Sequence, residues 1–345
     1  MTYFHYGSVT RIAGLAGGEL SMEARPRAAW RSGDYVVGEV VAEVSRAYPL
    51  EGPDGRLSEV MPGDLVVGVL GSRCATLELV GDWRAIEADL RMHALTEAGV
   101  FGRCTSRAVT ERSPMPLQYQ GHVLRGTVAA RMADYVAPPQ ATRFEAPVIQ
   151  IIGTSMECGK TTAAKAVIRR LKQHPLRVAG AKLTGVGCYR DVLAMRDAGA
   201  DFVLDFVDVG LPSTLLPPDQ FAAYVDRMLL ATADQRVDVV VAELGASPME
   251  PYNGGVAMDR LRDHVRLTIL AATDLYAALG AIDHLGVQPD LIVGRVASTS
   301  AGIAIVERET GILAVNPLDL ASLTGLDAVL AKLIAEAHAS DARPG

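Results

Sequence analysis

The chain has 345 residues, 49% hydrophobic and 21% charged, with a formal net charge of −7 from 33 Lys+Arg against 40 Asp+Glu. That length suits two domains with sizeable cores and excludes wholesale disorder. An acidic chain without a lysine–arginine block is a poor partner for nucleic acid or an anionic membrane, and no apolar run approaches the roughly 18 residues of a membrane span.

Met1 to Val9 lacks a charged-then-apolar signal pattern. The four cysteines, Cys74, Cys104, Cys158 and Cys188, show neither zinc-knuckle nor dithiol spacing. Both features lead us to expect a cytoplasmic protein with reduced thiols.

Residues 1–136 carry short, glycine-punctuated segments with strand character: Asp34 to Val44, Asp64 to Leu70, Thr76 to Val80 and Gln118 to Leu124. Gly33-Asp34 and Pro62-Gly63-Asp64 read as turns feeding strands. Ile86, Leu90 and Leu95 share a face if Trp83 to Ala98 is helical. The expectation is a small β-barrel or sandwich with an inserted helix. Arg73, His93, His122 and Arg125 are its candidate cleft residues, although isolated histidines are more often structural.

Ala137-Pro138-Pro139 opens a linker over 137–146, because paired prolines interrupt helix and sheet alike. From 147 to 340, apolar segments alternate with helical ones. Strands are expected at Val148 to Ile152, Arg177 to Ala181, Phe202 to Val207, Val237 to Ala242, Leu267 to Ala271, Leu291 to Val293 and Ile312 to Val315. Helices are expected at Thr161 to Gln173, Pro218 to Thr232, Leu275 to Leu285 and Leu326 to His338. This alternation predicts an α/β fold: a mostly parallel sheet with helices on both faces, preceded by the smaller β-rich domain. Ligands in such sheets bind at the carboxyl ends of strands.

The first of these strands runs into Gly153-Thr154-Ser155-Met156-Glu157-Cys158-Gly159-Lys160-Thr161-Thr162 and then a helix. A strand, a glycine-bounded loop ending in Gly-Lys-Thr and a helix make a phosphate-binding loop. The glycines let backbone N–H groups face phosphate oxygens, and the helix N-terminus adds partial positive charge. Lys160 is expected to reach the terminal phosphates and the Thr161 hydroxyl to hold a magnesium ion. Cys158 and Cys188 both fall on expected site loops, where filling space is their simplest role and a shared soft-metal or redox role the alternative.

Other polar residues gather at the same edge. Lys182 closes the second strand, where a second positive charge would offset charge spread during phosphoryl transfer. Glu243 ends the fourth strand as a candidate magnesium ligand, and Asp205 is a third candidate near the metal. Two loops are expected to face a small acid or amine substrate, Val186 to Asp191 and Ser247 to Gly255. In them Arg190 would grip a carboxylate or phosphate, Tyr252 and Asn253 would orient the substrate, and Gly254 would permit close approach. No Asn-Lys-x-Asp guanine reader is present, and Thr273-Asp274 only echoes one. ATP is therefore expected over GTP.

Five residues, not four, separate Gly153 from Gly159. Gly153, Thr154, Glu157, Gly159, Lys160 and Thr161 fit the loop of dethiobiotin synthetase and its P-loop relatives, which this half of the chain resembles. Ser155, Met156 and Cys158 depart from that enzyme's own version. Gly180-Ala181-Lys182 is similar to its second strand, and Glu243-Leu244-Gly245-Ala246 to its Glu-Gly-Ala-Gly. Asp205-Phe206-Val207 and the run from Glu243 to Gly255 also resemble a related, poorly characterised P-loop family, with one residue fewer after Glu243.

The resemblance covers Pro147 to Leu318 and places Asn316 and Pro317 at an adenine. It implies ATP and Mg2+ as cofactors, a ligase that phosphorylates a carboxylate or carbamate, and a homodimer. A nucleotide-switched metal or cofactor chaperone GTPase is the alternative, as is an acyltransferase that kept the fold.

Overall fold

From residue 148 onward the apolar runs become strands and the segments between them become helices. The structure is a computed structural model and describes residues 4–16, 20–41 and 49–341. The elements are β1 (Val148–Gly153), α1 (Lys160–Leu171), β2 (Val178–Thr184), α2 (Tyr189–Asp197), β3 (Phe202–Asp205), α3 (Pro218–Ala233), β4 (Val239–Leu244), α4 (Gly254–Leu261), β5 (Val265–Ala271), α5 (Leu275–Leu285), β6 (Leu291–Val293), α6 (Ser300–Thr310) and α7 (Leu323–Asp341). The six strands form one sheet in the order β3-β2-β4-β1-β5-β6, and every pairing is parallel. Helices lie on both sides of it. Coverage from both sides explains the unbroken apolar runs, since every residue of β1, β2 and β4 is buried.

The expected strand at Ile312 to Val315 is reduced to one parallel bridge between Ile292 and Ala314. Three helices were not anticipated. α2 and α4 fall where substrate loops were expected, and α4 opens with two glycines, which read as a loop. α6 was likewise missed.

The chain divides into two compact units. One holds Met1–Ala137, Gly185–Arg190 and Phe206–Pro217; the other holds Pro138–Thr184, Asp191–Asp205 and Pro218–Gly345. Two segments that follow β2 and β3 are therefore part of the first unit. Sequence continuity hides this, because no composition change marks either segment.

The first unit is built on a closed ring of five strands. Leu65–Leu70 pairs with Tyr35–Val40, which pairs with Met115–Arg125, then Arg91–Ala94, then Val100–Arg107, which returns to Leu65–Leu70. The two-residue period sends Val36 and Val40, Val66 and Leu70, Met92 and Ala94, and Met115, Leu117 and Tyr119 into one core with Trp30 and Phe101. Gly68 lies on the same face as Val66 and Leu70. A Cβ there would stand 2.2 Å from the Gly99 carbonyl and 2.5 Å from the Phe101 ring, so only glycine fits. Of the strand expected over Asp34 to Val44, residues 42–44 lie outside the described residues.

The helix expected over Trp83 to Ala98 does not form. Asp82 caps a single 3-10 turn, Trp83–Ala85, by accepting the Arg84 N–H at 2.7 Å. Leu90 then takes a left-handed φ of 54°, and Arg91–Ala94 pairs with two neighbouring strands. Ile86 and Leu95 are buried all the same. The spacing that suggested one helical face comes from a turn followed by a strand.

Among the described residues no helix is long and apolar enough to cross a membrane.

Candidate nucleotide site at the carboxyl edge of the parallel sheet

β1 is fully buried and ends at Gly153. A Cβ at Gly153 would lie 2.5 Å from the Cys158 Sγ and 2.7 Å from the Lys160 Cδ, so the loop can close on itself only over a glycine. Glu157 (φ 59°) and Gly159 (φ 114°) are both left-handed, which turns the chain into α1. Gly159 is the N-cap of α1, and no acidic side chain occupies the helix's first turn. The positive end of the helix dipole is thus left to an anion.

The loop is braced from outside. The Thr154 N–H donates to the Ala271 carbonyl at 3.0 Å, and the Arg295 N–H donates to the Cys158 carbonyl at 3.3 Å. Ser155 bonds the Met156 carbonyl, and Thr162 follows Thr161 into the helix. Gly294 was not anticipated as part of the site. Its φ is 97°, and a Cβ on it would strike the Cys158 carbonyl at 2.2 Å. The only sequence signal was a glycine directly after an apolar strand.

Lys160, 4% exposed, donates to the Ser155 carbonyl at 2.6 Å. The Thr161 hydroxyl donates to Oε1 of Glu243 at 3.2 Å. The loop strand β1 and the Glu243 strand β4 are direct neighbours, with Ile151 paired to Glu243. The sheet order reverses around β1, which is where open parallel sheets bind ligands. The second unit has the fold of a P-loop NTPase.

No family model matches this chain, and no curated protein does. Similar solved structures include the signal recognition particle receptor FtsY from Elizabethkingia anophelis in complex with GDP, at 14% identity over 51% of this chain and 57% of that one, TM-score 0.34. The chain thus spans little more than half that receptor's length. A ParA family ATPase from Chlorobium tepidum matches at 15% over 56% and 98%, TM-score 0.34. The hydrogenase maturation factor HypB from Archaeoglobus fulgidus matches at 16% over 55% and 90%, TM-score 0.36. Likenesses this distant carry nothing about what this chain does; its own sheet order, loop and Gly-Lys-Thr-Thr run carry the fold.

One row of side chains crosses the sheet edge. Lys182 pairs with Asp205 on one side and with Glu243 on the other. Register partners share a face, so the row reads carboxylate, ammonium, carboxylate. All three are buried, with Asp205 at 0%, Lys182 at 5% and Glu243 at 2% exposure. A Cβ at Gly245 would lie 2.7 Å from the Lys182 Cε, so Gly245 makes room for the lysine stem. The Lys182 ammonium donates to Oδ2 of Asp191. Asp191 lies at the end of the expected loop Val186 to Asp191. It stands in the first turn of α2, and nothing in its spacing from Lys182 announced the pairing.

Burial, and then the charge of Asp191, push the Glu243 carboxyl up to about 7, while Lys182, Lys160 and the Thr161 hydroxyl pull it the other way. Oε2 of Glu243 is buried without a hydrogen-bond partner. An orphaned buried acceptor beside a threonine hydroxyl fits a magnesium ion, which takes one or two protein oxygens and fills its remaining positions with phosphate and water. Among the described residues no group of three or more His, Cys, Asp or Glu is placed to hold a metal. Asp205 does not join Thr161 and Glu243. It lies on the far side of Lys182, two strand spacings or roughly 9–10 Å from Glu243, and forms one end of the row.

The expected substrate residues are placed differently. Arg190 belongs to the first unit, where its guanidinium meets Glu97 and, at 3.4 Å, Glu51. The side chain expected to grip a substrate carboxylate already has two carboxylate partners. Tyr252 is fully buried, so its ring packs the interior. Asn253 adopts φ 61° as the N-cap of α4. A Cβ at Gly254 would lie 2.7 Å from the Pro248 Cα, so this glycine serves packing, whereas Gly255 faces open space.

Asn316 braces its own turn, accepting the Leu318 N–H at 3.1 Å through Oδ1. The next residue, Pro317, lines a cavity of about 380 Å³ with Thr162, Lys165, Leu318, Leu320 and Leu323. Asp274 caps α5 by accepting the Ala277 N–H at 3.0 Å, and that bond holds its carboxyl below the usual range.

The candidate cleft residues of the first unit are spent in its structure. His122 bonds the Tyr119 hydroxyl at 2.6 Å, and Nδ1 of His93 accepts the Cys104 N–H at 3.2 Å. Burial and the nearby Arg103 charge hold His93 below the usual histidine range. Arg73 donates to the Leu95 carbonyl and Arg125 to that of Asp134. No disulfide joins any of the four cysteines.

Proposed function

We propose that this protein is an ATP- and magnesium-dependent enzyme of ligase type, which phosphorylates a small carboxylate or carbamate and passes the acyl phosphate to a nucleophile. The observation that carries this reading is the second buried ammonium, Lys182, fixed on the sheet edge in one row with Glu243. Water can attack a γ-phosphate without meeting like charge, but a carboxylate cannot. Two unit charges about 4 Å apart repel by about 4 kcal/mol at an effective dielectric near 20. Lys182 supplies the positive charge that offsets this, in addition to Lys160.

The roles follow from position. Backbone N–H groups of the loop 153–159 and the α1 N-terminus hold the β-phosphate. Thr161 and Glu243 would hold magnesium, which would supply positive charge against the phosphates. The acceptor oxygen bonds to the γ-phosphorus as the β–γ bridging bond breaks, and ADP leaves with the electron pair. The nucleophile then attacks the acyl carbon and displaces inorganic phosphate. Lys160 and Lys182 need only stay in place, because positioning and electrostatics supply most of such an acceleration.

Adenine suits the cavity between α1 and the turn after Asn316. Its lining is Pro317, leucines, threonine, glutamine and basic residues, with no carboxylate. Guanine would seek a carboxylate acceptor for its N1–H and amino group.

The test is turnover of Mg-ATP with a panel of small carboxylic acids, trapping acyl phosphate as the hydroxamate. We expect an acid-dependent hydroxamate, and none from Lys160→Ala, whose thermal unfolding stays close to wild type. Undiminished turnover by Lys160→Ala would rule out this site. Hydrolysis that no acid accelerates would indicate a nucleotide switch instead.

A further inference from the structure

We propose that Asp191 is a positioning residue that keeps the Lys182 ammonium off Glu243, so that Glu243 remains available beside Thr161. This rests on the nucleotide reading above and assigns a role to a residue that reading does not use.

Three carboxylates stand within reach of one lysine. Asp205 and Glu243 flank Lys182 in the same cross-strand row, and Asp191 takes its ammonium from α2. The three are not equivalent. Asp191 retains 29% of its side-chain surface, whereas Glu243 is 2% exposed and Asp205 is fully buried. An ion pair costs least in desolvation where one partner keeps contact with water. The Lys182 stem runs close against Gly245, where a Cβ would stand 2.7 Å from its Cε, and its ammonium lies between the three carboxylates.

Removing the Asp191 charge leaves a buried cation with a buried glutamate as its register partner. The lysine then pairs with Glu243, because an uncompensated buried charge is costly. That pairing consumes the carboxylate oxygen that has no hydrogen-bond partner in the structure. Asp191 thus acts on Glu243 through Lys182.

The competition gives a specific thermodynamic signature. Binding of a non-hydrolysable ATP analogue is titrated by calorimetry across a series of MgCl2 concentrations. Asp191→Asn preserves the hydrogen-bonding capacity of the α2 first turn, so the fold is retained. It is expected to raise the magnesium concentration for half-maximal analogue binding about tenfold. Asp191→Glu is expected to return it to within about twofold. Adding Asp191→Asn to Lys182→Met is expected to change nothing beyond Lys182→Met alone, since without the lysine there is nothing for Asp191 to keep off Glu243.

Wild-type magnesium dependence in Asp191→Asn overturns the proposal, as does a double variant whose magnesium requirement exceeds that of Lys182→Met alone. Loss of the folded state in Asp191→Asn would make the residue a stability element and overturn it too. Failure of the wild-type protein to bind the analogue at any magnesium concentration would remove the nucleotide reading itself, and this inference with it.

Discussion

The first unit buries Asp34 completely, and both of its oxygens have partners. Oδ1 accepts from Arg131 at 2.6 Å; Oδ2 accepts the Arg31 N–H at 2.7 Å and lies 3.4 Å from His122. Glu51, equally buried, accepts from the Ser8 hydroxyl and from the Tyr189 and Arg190 N–H groups. The second unit buries Glu243 to the same degree but satisfies only one oxygen. Burial alone does not distinguish a tie from a site. A carboxylate whose acceptors are all taken holds chain segments together, whereas one with an acceptor left over is arranged for something else.

That contrast can be broken by mutation. Its largest expected effect is on Asp34. Asp34→Ala leaves the Arg31 N–H and His122 without their carboxylate and should cost about 4 kcal/mol in urea unfolding. A loss near zero would show that the network is not a tie.

Glu243 should behave in the opposite sense. Its carboxyl sits at about 7 in the folded protein against an ordinary 4.5. Below the lower value both folded and unfolded chains are protonated, so there is no penalty. Between the two values the unfolded chain ionises first, and stability falls as pH rises, by about 3 kcal/mol in total once the higher value is passed. Glu243→Gln should remove this slope, leaving a flatter unfolding profile across that window and a more stable nucleotide-free protein above it. An unchanged profile in the variant would place the titration elsewhere.

The smallest effect tests the cavity along α1. Leu320 is 84% exposed. Leu320→Ser should leave stability unchanged and weaken ATP binding by about 1 kcal/mol, the scale of taking one partly covered apolar side chain away from a base. Equal weakening of inorganic triphosphate binding would show that the leucine does not meet the base.

Legibility in the sequence followed the same division. The phosphate loop was readable because it is local: consecutive residues supply its turn, its glycines and its lysine. β1 to β6 were readable as apolar runs, since burial from both sides leaves a composition that neighbours cannot disguise. The turn and strand over 83–94 were not readable, because Ile86, Leu90 and Leu95 carry a helical spacing that cross-strand pairing overrides. Tyr252, Gly254 and Arg190 looked like substrate contacts because polar and glycine-rich loops usually are. The ion pairs of Arg190 are settled by Glu51 and Glu97, distant in the chain, and the room at Gly254 by the way its loop folds back onto Pro248.

The order of residues thus determined a loop able to hold phosphate, the α/β alternation behind it and the charges near its edge, because each depends on neighbours a few positions away. The tertiary structure decided which charges meet. Sheet order put β4 beside β1, register aligned Lys182 with both Asp205 and Glu243, and the placement of α2 brought Asp191 to that lysine. Pairing between strands and helices far apart in sequence is set by packing of the whole sheet, and no local pattern encodes it.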